Sequence, residues 1–96
     1  MNANRSLTNG VAGELTKSVG QIQSRHDLAV FVDALREHLR HHPEEWENRD
    51  LPSFLEAMAA WVEDMDGYFK TRGEPVPDQP TWQTLAQILL AAKVYE

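Results

Sequence analysis

Between Leu51 and Phe69, nine large apolar residues recur at helical spacing: Leu51, Phe54, Leu55, Met58, Trp61, Val62, Met65, Tyr68 and Phe69. Projected at about 100° per residue, they fill a continuous arc of about 140°. A strand cannot carry this pattern, because its side chains alternate between two faces. A helix can, but a face this wide is more than one neighbour needs. The chain is therefore expected to be all-α, with this helix packed between two others.

The flanking segments supply those neighbours. Ser24 is a good N-cap, and Asp27, three residues on, is a short-armed variant of the capping-box acid. Leu28, Phe31, Val32, Leu35 and Leu39 then form one apolar stripe, and Pro43 ends the helix by excluding its predecessor from the α region. The first helix is thus predicted over residues 25–41. Asp50 caps the second, with Pro52 in its first turn. Gly67 is interior, and the helix ends near Arg72, with Gly73 as the C′ residue. The linker EPVPDQP is stiff and extended. Thr81 caps a last helix whose buried side is Trp82, Leu85, Ile88, Leu89, Ala92 and Tyr95.

The predicted architecture is a small three-helix bundle over residues 24–96, with helix two in the middle. Ahead of it, residues 1–23 carry Leu7, Val11, Leu15, Val19 and Ile22 near the helical period, with Gly10, Gly13 and Gly20 on the other side. Glycine costs up to about 1 kcal/mol in a helix, so this segment reads as a weakly ordered or partly helical arm.

Charge is unevenly distributed. Of fifteen acids and nine bases, eight acids and one base fall in residues 43–66. That segment carries −7, against −6 for the 96-residue chain. Such a field repels phosphate backbones and anionic membrane surfaces, and attracts a basic protein. Neither nucleic acid nor membrane is an expected partner. No cysteine is present, which removes disulfides and thiolate ligands and fits a reducing cytoplasm. The longest apolar run, residues 57–62, is far shorter than the ~20 residues of a membrane helix. The N-terminus lacks the apolar core of a secretory signal. A cytoplasmic location is expected.

The chemistry-bearing residues gather in EHLRHHPEEWENRD, residues 37–50. His38 and His42 are one helical turn apart and can share a zinc or nickel ion, with Glu45 or Glu47 closing the shell. Pro43 interrupts the helix between the histidines and the acids, so the spacing alone fixes no geometry. The bland reading makes Arg40 and the histidines last-turn cations favoured by the helix dipole. No cofactor is expected. DMDGY fails as a calcium loop, because Val62 and Gly73 occupy its first and last ligand positions. No nucleophile, phosphate-loop or zinc-protease motif occurs, so no catalytic residue is assigned. Trp46 has two readings: a lid folded over the bundle end, or a partner-binding anchor. Val30 and Leu90 point away from their stripes and together can mark a dimer or docking patch.

The stretches SRHDLAVFVDALREHL, PEEWENRDLPSFLEAMAAWVEDMDGY and PTWQTLAQILLAAKVYE resemble a family of small bacterial proteins defined only as a domain of unknown function. The resemblance covers residues 24–96, with PEEWEN and LEAMAAW as its most specific parts. It implies a bacterial cytosolic protein and a compact helical domain, and assigns no catalytic residues.

The sequence points to a non-enzymatic interaction module. Glu44, Glu45, Glu47 and Asp50 around Trp46 would present an acidic surface to a basic partner, as an immunity or antitoxin-like inhibitor does. The alternative is a metal-dependent or acid/base enzyme built on His38, His42 and the neighbouring acids. Self-association as a homodimer is a third possibility.

Overall fold

The computed structural model describes residues 15–96, and these are all-α. The expected stripe positions Leu7 and Val11, with Gly10 and Gly13, lie outside the described residues. Helix α1 is described over residues 15–19. Helix α2 is Arg25–His41, followed by a single 3-10 turn, Pro43–Glu45; α3 is Leu51–Thr71 and α4 is Trp82–Ala92.

The expected caps are in place. Ser24 Oγ accepts from the Asp27 N–H at 3.1 Å, while an Asp27 carboxylate oxygen accepts from the Gln23 N–H at 3.0 Å. At the head of α3, Asp50 accepts from the Ser53 N–H at 2.9 Å and from its hydroxyl at 3.0 Å. These bonds, the backbone one first, hold the Asp50 carboxyl below its usual range. Thr81 Oγ1 accepts from the Thr84 N–H at 3.1 Å. Helix α3 runs through Gly67 and ends as predicted: Gly73 takes φ 71°, its N–H bonds to Lys70 O, and the Glu74 N–H bonds to Phe69 O. That pair of bonds is a Schellman closure, and the left-handed backbone explains the glycine.

The order of the helices differs from expectation. The central helix is α4, which packs against both α2 and α3, while α2 and α3 do not approach each other closely. Ala86 and Ala92 are fully buried, and residues this small let a neighbouring backbone come close. Leu85, Leu89 and Leu90 are each packed against one of the two core clusters, so α4 is covered on more than one side. Leu90 is accordingly half-buried, not an outlying surface residue, whereas Val30 is 57% exposed. Trp82 was expected on the buried side and is 43% exposed. Helical side chains lean over the preceding turn, and at the first position of α4 there is none. Tyr95 lies beyond the end of α4, and its hydroxyl donates to Asp64 of α3.

The core has two parts. One gathers Phe31, Leu35, Trp46 and Ala86 with Leu15, Val19 and Ile22; the other gathers Trp61, Phe69 and Ile88. Residues 15–22, placed in the arm by the sequence reading, thus contribute three buried side chains. Full burial of each large residue contributes roughly 1.5–3 kcal/mol.

Candidate functional site

The connection between α2 and α3 straddles the C-terminal end of α4. The Glu47 and Asn48 N–H groups both donate to Lys93 O at 3.1 Å. Asn48 Nδ2 donates to Ala92 O and Tyr95 O, each at 2.9 Å. Carbonyls at a helix end have no partner within the helix, and Asn48 supplies one from outside it. Its partners lie 44 and 47 residues away in the chain, so no capping pattern in the sequence marks it.

Trp46 is the other anchor. It is 5% exposed, packed into the core at the bundle end as in the lid reading. Its ring lies 6.1 Å from that of Phe54, and Lys93 Nζ sits 5.9 Å from the ring centroid. Its Nε1–H donates to His38 Nδ1 at 2.9 Å. Indole nitrogen is only a donor, so His38 Nδ1 must present its lone pair, and the ring proton of the neutral imidazole sits on Nε2.

That tautomer decides the fate of the expected metal pair. His38 is 3% exposed, and its Nε2 lies 3.3 Å from Glu45 Oε1 without the alignment of a hydrogen bond. An ion on Nε2 would force the proton onto Nδ1, against the Trp46 N–H. In this arrangement His38 is packed in the core and is the acceptor for Trp46. Burial is the main cause that pushes His38 below the ordinary 6.5; Glu45 opposes the shift, while Lys93 and His42 add to it.

The acids do acquire a geometry, because the 3-10 turn after Pro43 folds them back toward α2. His42 Nδ1 lies 3.6 Å from Glu44 Oε2 and 3.9 Å from Glu45 Oε2. His42, Glu44 and Glu45 each bring one ligand atom within 4.8 Å of the others, the one such group of three among the described residues. Glu47 stands apart from it. Glu44, Glu47 and Asp50 are exposed and Glu45 is half-buried. Arg49, the only base of the segment, donates from Nε to Trp46 O at 3.2 Å.

Beside the connection, α2 and α3 leave an open apolar groove of about 350 Å³. Its lining includes Val32 and Leu39 of α2, Leu51 and Phe54 of α3, Leu89 of α4 and Trp46. A larger hollow of about 710 Å³ among residues 16–20, α3 and α4 includes Arg72, which already pairs with Glu74 and stacks over Tyr68. The sequence reading missed the groove, since it assigned the whole apolar arc of α3 to packing.

Fold and site together define a small helical domain with an acidic connection anchored to the end of α4. The chain belongs to a family of unknown function, DUF7660, which it matches over residues 24–96. No curated protein and no solved structure matches it.

Proposed function

We propose that the domain is a non-enzymatic interaction module whose acidic connection, Glu44, Glu45, Glu47 and Asp50, recruits a basic protein partner. The observation that carries this reading is the anchoring of the connection. Trp46 and Asn48 tie it into the fold, so the acids between and beside them are held at one end of the bundle. Charges fixed in advance steer a basic partner at little ordering cost, and raise the association rate more than the final affinity. An immunity or antitoxin-like inhibitor of a basic nuclease is one concrete version. The proposed setting is the bacterial cytoplasm, consistent with a chain free of cysteine. Among the described residues, no helix is long and apolar enough to cross a membrane.

The test is affinity capture from native lysate at low and moderate salt, with a Glu44→Lys, Glu45→Lys, Glu47→Lys variant beside the wild type. The expected result is a basic protein retained by the wild type alone, with an association rate that falls as salt rises. Equal capture by the folded variant defeats the proposal.

The second reading, a metal-dependent or acid/base activity, now rests on His42, Glu44 and Glu45 in place of the His38 and His42 pair. It requires stoichiometric Zn²⁺ or Ni²⁺ binding that raises the melting temperature and is lost in His42→Ala. Absence of heat in micromolar calorimetry removes it.

A further inference from the structure

Six residues of α3, Leu51, Leu55, Met58, Val62, Met65 and Phe69, follow one another at spacings of four and three throughout. This is the 3.5-residue repeat with which one helix packs lengthwise along another. Helix α4 does not use this stripe fully. It takes the neighbouring side of α3, burying Ala57 and Trp61, while Leu51, Leu55 and Val62 remain 67%, 51% and 44% exposed. Of these Leu51 lines the groove, where Val32 of α2 is also 43% exposed, and Leu55 and Val62 continue the exposed stripe beyond it. The groove exists because α4 holds α2 and α3 apart, and its floor is apolar: Trp46, Phe54 and Leu89.

We infer that the groove between α2 and α3, together with the exposed stripe that runs on from Leu51 along α3 through Leu55 and Val62, seats an amphipathic helix with basic flanks, supplied by a protein partner. This rests on the proposed interaction function and names its partner chemistry. Charge selects the occupant. Asp66 and Glu63 project about 60° and about 120° from Leu51 on the solvent side of the stripe, Asp66 with Lys70 at 4.0 Å, and Asp50 stands at its head. The two arginines on the groove are already engaged, Arg36 with Asp33 at 2.7 Å and with Glu37 at 3.3 Å, Arg49 with Trp46 O. A second copy of the chain is the wrong occupant, because a two-fold contact sets each patch against itself, and residues 43–66 carry −7. Lysines or arginines beside the apolar face of an incoming helix meet the acids instead, as in other helix-in-groove complexes.

The test titrates isotope-labelled protein at low salt with two synthetic 21-residue peptides of identical leucine and lysine composition. One places leucine at the 3.5-residue repeat; the other scatters it around the helix. The expected result is at least about tenfold tighter binding of the first, the equivalent of one well-buried aliphatic side chain. Amide shifts should centre on Val32, Leu39, Phe54, Leu55 and Val62. Leu55→Lys with Val62→Lys should abolish the preference, while Val30→Lys, outside the groove, should preserve it. Equal binding of both peptides overturns the groove and leaves acidic recruitment standing. Binding of neither overturns both. A low-salt dimer in sedimentation that Leu55→Lys with Val62→Lys dissociates assigns the groove to a second copy and also overturns the inference.

Discussion

The contact between His38 and Trp46 joins a residue chosen for its chemistry to one chosen for its size, and the pairing gives each a structural task. The indole N–H is buried and would cost about 1–3 kcal/mol without an acceptor. Trp46→Phe removes the donor and strands the His38 lone pair, so a loss of about 1–3 kcal/mol is expected in chemical denaturation. Acid acts on the same contact from the other side. Protonated His38 carries N–H on both nitrogens, and the one on Nδ1 faces the indole donor. The groups around the ring are Glu45 and His42 from the connection, Trp46, and Lys93 from the end of α4; of the charged ones only Glu45 favours the cation. Because the folded pKa lies below the unfolded 6.5, the stabilising contribution is complete above 6.5 and declines as pH falls below it. Thermal unfolding between pH 8 and pH 5 should show this decline in the wild type and a shallower one in His38→Phe. Parallel curves would assign the acid sensitivity elsewhere.

At the scale of the helices, starts and stops were readable because their causes are local. Ser24, Asp50 and Thr81 accept bonds from N–H groups three residues on, and Gly73 supplies the positive φ of a helix end. Gly73→Ala should accordingly cost about 1–2 kcal/mol. The choice of the central helix was not local. The width of the α3 stripe argued for the middle position, but part of that stripe faces solvent. What places α4 in the middle is close approach at Ala86 and Ala92, and alanine adds little to an apolar pattern even where its smallness is decisive. Ala86→Leu should cost about 1–3 kcal/mol through overpacking, whereas the same change at exposed Ala59 should be nearly neutral. Asn48 was invisible for the same reason of distance. PEEWEN reads as a cluster of charges, yet Trp46 and Asn48 are its structural members, with Glu44 and Glu47 at the surface and Glu45 half-buried. Asn48→Ala should cost about 1–2 kcal/mol, measured by denaturation, by freeing the carbonyls of Ala92 and Tyr95.

For the whole molecule, the concentration of charge in residues 43–66 and the exposed stripe of α3 belong to the same length of chain. Alone, the stripe would invite self-association, since contiguous exposed apolar surface is a common cause of it. The acids beside it oppose that outcome, because two copies meeting there bring like charges together at short range. Their effect depends on salt, with screening lengths of about 10 Å at 0.1 M and about 3 Å at 1 M. The two associations open to this surface should therefore respond to salt with opposite signs. Binding of a basic helix weakens as salt rises, while self-association strengthens. Sedimentation at low salt should show a monomer, with a dimer fraction growing toward 1 M salt. Glu56→Gln, Glu63→Gln, Asp66→Asn should bring that growth to lower salt, and Leu55→Lys with Val62→Lys should prevent it. A monomer unchanged by salt and by neutralisation would mean that the stripe has too little apolar surface to associate even when repulsion is removed. The acids would then act only in attraction, with no part in keeping copies apart.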